Sequence, residues 1–166
     1  FEVFEMANMY ENIIKNNHVA LYDDYYEVKQ KVITIKSTID LNNAVEKVPC
    51  HNDCLVDNWV LDSASKLFLI DWEYSGMNDP MADFAALFIE ACFEKENEDY
   101  ILDKYFDGNV PSLAREKILC YEILWDCLWA QWTVIKEAKG DDFGTYGRDR
   151  FNRAIKNLKN LTNINN

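Results

Sequence analysis

His51, Asp53 and Asn58 stand in the order H-x-D-x4-N, and Asp71 follows Asn58 by thirteen residues. Residues of these types in this order could transfer a phosphoryl group to a hydroxyl. In that chemistry the protein chiefly positions groups and offsets charge. The carboxylate of Asp53 would take the proton of the attacking hydroxyl. The amide oxygen of Asn58 and the carboxylate of Asp71 would hold a divalent cation on the phosphates of a nucleotide. Each residue alone has a plainer role, Asp53 and Asn58 in a turn and Asp71 at the end of a strand. Their order, their spacing and the segment between them favour the joint reading. His51 has two readings, a proton-transfer group or a brace for the loop. Because the carboxylate does the proton chemistry in such loops, the brace is favoured.

The elements between these residues must bring them together. Trp59-Val60-Leu61 and Leu67-Phe68-Leu69-Ile70 are short apolar runs, separated by the turn-forming Asp62-Ser63-Ala64-Ser65-Lys66. They predict a β-hairpin with strands near 59–62 and 66–70. A hairpin returns the chain to its starting end, so Asp71 would come beside Asn58, where two oxygen ligands can share a hard cation. Pro49 biases Val48 towards extended backbone, so a loop presents His51-Asn52-Asp53.

The rest of the chain reads as helical scaffold. Phe1, Phe4, Ala7, Tyr10, Ile13 and Ile14 mark an amphipathic helix over 1–17. Asp23 or Asp24 would cap a second helix running to about Ser37, and a short third is expected near Leu41–Glu46. Gly76 and Asn78 suit a turn; Asp79 and Pro80 then open a helix over 80–93. Asp83 in its first turn complements the helix dipole, with propping of the catalytic loop as the functional alternative. Glu94–Asp99 reads as a charged surface segment and Tyr100–Phe106 as a short helix. Ser112 to Gly140 brackets the longest helix, and a last helix runs over about Arg148–Leu161. The long helix carries Tyr121, Trp125, Trp129 and Trp132 on one stripe. Such stripes usually pack in a core. The functional alternative is an aromatic box for a quaternary ammonium group, each Trp face being worth roughly 0.5–2 kcal/mol. The loop 141–147, with Phe143 and Tyr146 among glycines, lies next in sequence.

The chain has 166 residues, 49% hydrophobic and 14% aromatic, enough for one packed globular domain, so a single domain over 1–166 is expected. Net charge is −12. That balance disfavours nucleic acid and anionic membranes and suits a cationic substrate. A nucleotide would need a metal ion and a basic group to offset its phosphates. No apolar run reaches the ~18 residues of a membrane span, and no secretory signal opens the chain. The first residue is Phe1 rather than Met, as in a piece of a longer protein. Five cysteines without a C-x-x-C pair give an expectation of reduced thiols and a cytoplasmic protein. Cys50, His51 and Cys54 lack a fourth ligand at zinc-site spacing.

Three separated stretches together resemble the choline/ethanolamine kinase family, and most closely its bacterial choline kinases. They are Val48-Pro49-Cys50-His51-Asn52-Asp53, the run Ile70-Asp71-Trp72-Glu73-Tyr74-Ser75-Gly76-Met77-Asn78-Asp79-Pro80, and Trp129-x-x-Trp132 followed by Tyr146 and Arg150-Phe151. Aminoglycoside phosphotransferases share the first motif and the later Asp. The resemblance covers about residues 48–151. It implies an α+β, mostly α-helical fold, the C-terminal lobe of a protein-kinase-like fold, with a small hairpin carrying the catalytic and metal segments. It implies transfer of the γ-phosphate of ATP to the hydroxyl of choline with Mg²⁺. Asp53 would be the base, and Asn58 and Asp71 the metal ligands. Glu73 would lie near the metal or the substrate's cationic head, and Tyr74, Trp129, Trp132 and Tyr146 would contact the substrate, Phe143 less directly. His51 and Asp83 would support them, and Trp125 stays in the core. Neither G-x-G-x-x-G nor G-x4-G-K-[ST] occurs in the chain. The ATP-binding N-terminal lobe of such kinases, with its phosphate-binding loop and lysine, is therefore expected outside this sequence, and the isolated chain is expected to be inactive. The alternatives are a phosphotransferase for ethanolamine or an aminoglycoside, and a non-catalytic ligand-binding fragment.

Overall fold

The computed structural model describes residues 3–41 and 47–164. Its order is α1 (Val3–Asn16), α2 (Tyr25–Leu41), β1 (Val48–Cys50), β2 (Trp59–Leu61), β3 (Leu67–Leu69), β4 (Gly76–Asn78), α3 (Pro80–Ala91), α4 (Lys95–Tyr105), α5 (Ala114–Glu137) and α6 (Tyr146–Ile164). The fold is mostly helical, with two antiparallel two-stranded sheets, β1–β4 and β2–β3. The described residues fall into two compact units. One spans 47–121; the other is made of 3–41 and 122–164.

In the first unit the expected hairpin is present. Trp59 pairs with Leu69, Val60 with Phe68 and Leu61 with Leu67. Asp62 closes its turn by accepting the N–H groups of Ala64 and Lys66, both at 2.8 Å, as a short carboxylate does in tight turns. The Ile70 N–H donates to the Asn58 carbonyl at 2.9 Å, extending the pairing to the residue before Asp71. The turn expected at Gly76–Asn78 is instead strand β4. It pairs with β1, Val48 opposite Asn78 and Cys50 opposite Gly76. Three residues around a Gly carry no period-two signal, so pairing with a distant strand decided their conformation. Asp79 caps α3 by accepting the Met81 N–H at 3.0 Å, and Pro80 opens the helix. Cys92 ends it in the left-handed region with φ 50°. The charged segment from Glu94 is also helical, as the start of α4. Lys95 pairs with Asp99 one turn on, and Arg115 binds both Glu98 and Asp99, so the acidic residues of this surface segment are tied into a helix.

In the second unit α1 buries Val3, Tyr10 and Ile14, and α2 buries Tyr25, Val28, Val32 and Ile35. In α1 Tyr10 and Ile14 belong to the stripe expected from spacing, Val3 does not, and Phe4, Ala7 and Ile13 are half-buried. Helix α2 runs to Leu41, past the expected end at Ser37. The helix expected at Leu41–Glu46 lies outside the described residues apart from Leu41. Helix α5 is shorter than the interval Ser112–Gly140: it starts at Ala114 and spans 24 residues. Trp125 is 1% exposed and belongs to the core. Helix α6 starts at Tyr146, not Arg148. Gly147 explains the earlier start. A Cβ there would lie 2.8 Å from Thr133 Cβ and 2.6 Å from the Tyr22 hydroxyl, so only Gly lets α6 begin so close to α5. Asp126 on α5 is fully buried and accepts from Arg150 at 3.0 Å and from two nitrogens of Arg153 at 2.7 and 2.6 Å. Burial pushes its carboxyl up against the pull of Arg153.

Candidate active site

The loop after β1 is fastened from several sides. Asp83, in the first turn of α3, accepts the N–H of His51 and the N–H of Asn52 with its two oxygens, both at 2.7 Å. The Asp53 N–H donates to His51 Nδ1 at 3.2 Å, so that nitrogen carries a lone pair. The proton is then on Nε2, which donates to the Ile70 carbonyl at 2.7 Å. Both ring nitrogens of His51 are engaged within the loop and the hairpin end, and the Trp72 ring meets the imidazole edge-on at 4.8 Å. His51 therefore occupies the brace position, with neither nitrogen directed to a metal. Cys50 and Cys54 are buried, and burial pushes the Cys50 thiol up to about 12 and that of Cys54 higher still.

Asp53 is 7% exposed, and its Oδ1 has no hydrogen-bond partner among the described residues. A buried acceptor left unpaired costs free energy and marks a place where a ligand group would fit. Burial pushes the Asp53 carboxyl above the ordinary carboxylate range. The negative charges of Asp71 and Glu73 act in the same direction. The Asp53 carbonyl accepts from the Leu55 N–H at 2.8 Å and from Asn58 Nδ2 at 2.9 Å. That bond turns the Asn58 amide so that Oδ1 remains as its acceptor. Asp71 lies directly after the hairpin with φ 64°, a left-handed conformation, and its side chain is exposed and caps nothing.

The donor set available near Asp53 is thus an amide oxygen and an exposed carboxylate. Such hard oxygen donors suit Mg²⁺, which keeps several waters and takes only one or two protein carboxylates. Among the described residues no group of three or more His, Cys, Asp or Glu is arranged to hold a metal by itself. Glu73 and Tyr74 belong to the single 3-10 turn Trp72–Tyr74 that follows Asp71, Glu73 exposed and Tyr74 half-buried.

The other predicted site residues lie in the second unit. Trp129 is 9% exposed and Trp132 half-buried; their rings meet edge-on at 5.9 Å. Phe143 meets Trp132 at 5.0 Å and Tyr146 at 6.4 Å, so the four rings form one chain. The Lys136 ammonium sits 5.3 Å above the Trp132 ring, and the Arg150 guanidinium 4.8 Å above that of Tyr146. Both ring faces accept cations, as their quadrupoles predict. Sequence reasoning missed Asn52 and Asn78, whose side chains bond each other at 2.8 Å beside the loop. The one signal was the buried-loop position of Asn52 between His51 and Asp53.

Residues 3–120 match the family model described as choline/ethanolamine kinase. Protein LicA of Haemophilus influenzae is 30% identical over 97% of this chain and 62% of its own length. The crystal structure of choline kinase LicA from Streptococcus pneumoniae is 37% identical with a TM-score of 0.83, covering 96% of this chain and 56% of that one. A crystal structure of LicA in complex with AMP, also 37% identical, gives a TM-score of 0.85 over 97% of this chain and 55% of that one. The chain therefore spans little more than half the length of the solved relatives it matches. With the family model covering more than two thirds of its residues, the chain belongs to the choline/ethanolamine kinase family.

Proposed function

We propose that the protein containing this chain transfers the γ-phosphate of ATP to the hydroxyl of choline, with Asp53 as the proton acceptor. The observation that carries the reading is the unpaired, buried Oδ1 of Asp53 beside Asp71 and Glu73. Asp53 would bind the substrate hydroxyl and take its proton as the oxygen attacks phosphorus. Asn58 Oδ1 and the Asp71 carboxylate would hold Mg²⁺, which offsets phosphate charge when bound. His51 and Asp83 keep the loop in place for this. Glu73 and Tyr74 would meet the cationic head of the substrate, in keeping with a net charge of −12; the resemblance gives the same role to Trp129, Trp132 and Tyr146, rings whose faces attract cations. Nucleotide binding is supported by the AMP complex of the related LicA. The nucleotide-binding lobe would come from sequence outside this chain, which alone would be inactive. Five free cysteines support a reducing, cytoplasmic setting.

The test is phosphate transfer from labelled ATP by the full-length protein to choline, ethanolamine and kanamycin with Mg²⁺. Preferential phosphorylation of choline is expected. Preference for ethanolamine or kanamycin would reassign the substrate, and no transfer to any alcohol would leave a ligand-binding module. A choline titration followed by tryptophan fluorescence, with loss of the saturable change in Trp129→Ala, would test the aromatic group separately.

A further inference from the structure

Asn52 lies between His51 and Asp53 and is 1% exposed, yet no step above uses it. Its backbone is left-handed, with φ 63°, a conformation that Asn tolerates better than most residues. Its side chain is gripped on both sides. Nδ2 donates to the Tyr74 carbonyl at 3.0 Å, and Oδ1 accepts from Asn78 Nδ2 at 2.8 Å. The Asn78 Oδ1 in turn accepts the Asp79 N–H at 2.9 Å. Asp79 is anchored by Lys117 Nζ at 2.6 Å, an ion pair in which both side chains are buried.

The target of this grip has little stability of its own. Residues 72–74 form one 3-10 turn, closed by the Ser75 N–H to the Trp72 carbonyl at 3.0 Å, and Asp71, Trp72 and Glu73 are exposed. His51 holds the carbonyl of Ile70, just before this stretch, and Asn52 holds the carbonyl of Tyr74, at its end. Two adjacent loop residues thus fasten the two ends of the segment that carries Asp71 and Glu73.

We propose that Asn52, backed by Asn78 and the Asp79–Lys117 pair, is a positioning residue for the alcohol substrate. It sets the register of Glu73 and Tyr74 against Asp53. This rests on the reading above that Glu73 and Tyr74 meet the substrate. The division of labour follows from the two grips. The metal-side end of the segment is held by His51 and the hairpin, the substrate-side end by Asn52. Loss of the Asn52 grip therefore weakens choline binding more than it slows transfer.

Asn52→Asp tests this in the full-length protein, because it keeps the shape and the acceptor for Asn78 but removes the donation to Tyr74. Amide exchange over residues 72–75 should rise about tenfold, the factor that one hydrogen bond is worth. The KM for choline should rise about tenfold with kcat within about threefold of wild type and the KM for ATP unchanged, the signature of lost ground-state positioning. Unchanged exchange at 72–75, or faster exchange with an unchanged KM for choline, overturns the proposal. If Asn52→Asp does not fold, Asn78→Ala, which removes the donor to Asn52 Oδ1 together with the acceptor of the Asp79 N–H but leaves the Asn52 donation to Tyr74, should give the same pattern more weakly; no change in it is equally contradictory. Should the wild-type protein phosphorylate no alcohol, the functional reading fails on that result alone, and the exchange measurement still decides whether Asn52 holds the segment.

Discussion

The carboxyl of Asp53 is buried, carries one unpaired oxygen and has two further carboxylates nearby. Its pKa in the folded protein is raised, chiefly by burial, so the native state holds its proton more tightly than the unfolded chain does. Stability therefore falls as pH rises from the unfolded value of ~3.9 through the raised native value, and stays lowered above it. Asp53→Asn removes this penalty. The variant is expected to melt at a higher temperature than wild type at neutral pH, with the difference vanishing in acid; thermal melts at a series of pH values check this. In the proposed reaction the same shift would set the pH profile of catalysis. A base must be ionised, so the acid limb of kcat/KM for choline should lie above the ordinary carboxylate range. Residue types and spacing made Asp53, Asn58 and Asp71 legible, because a loop, a hairpin and a second acid in fixed order form a pattern. Asn52 had no such pattern. Its part depends on a left-handed backbone and on bonds to Tyr74 and Asn78, distant in sequence, which spacing does not reveal.

Helix α6 shows how an element sets the place of a ring proposed to meet the substrate. Tyr146 is its first residue, and the next, Gly147, lets its backbone pass against Thr133 of α5. Gly147→Ala would force a Cβ to within 2.8 Å of Thr133 and 2.6 Å of the Tyr22 hydroxyl. Overpacking of this kind costs about 1–3 kcal/mol, which urea unfolding would measure. The same pair of helices is pinned by Asp126 between Arg150 and Arg153. Asp126→Ala removes the fully buried carboxylate that accepts from both arginines and should lower stability by about 3–5 kcal/mol in the same measurement. The sequence stripes announced α1, α2, α3 and the core part of α5, since apolar spacing follows from burial of one face. They did not announce β4 or the start of α4. Those conformations come from pairing with Val48–Cys50 and from ion pairs with Arg115, both contacts across distance in sequence.

At the scale of the molecule, the proposed reaction would ask an acidic chain with net charge −12 to accommodate phosphates. Its own candidate site adds carboxylates rather than cations, so the proposed reaction would depend on Mg²⁺ and on basic groups supplied elsewhere in the full-length protein. The span of the chain, 62% of Haemophilus influenzae LicA and about 55% of the solved LicA structures, fits that dependence. No helix among the described residues is long and apolar enough to cross a membrane. Family membership was legible from three separated motifs, whereas the division of the described residues into two units was not, because continuous helix α5 runs through both and no linker composition marks the boundary. The central claim is that Asp53 is the base in phosphate transfer to choline. Its most direct test is the steady-state rate of choline phosphorylation by full-length wild type and Asp53→Asn, with circular dichroism to verify the fold. A fall in kcat of about 10²–10⁴-fold with an intact fold is the predicted result; turnover near that of wild type would contradict it.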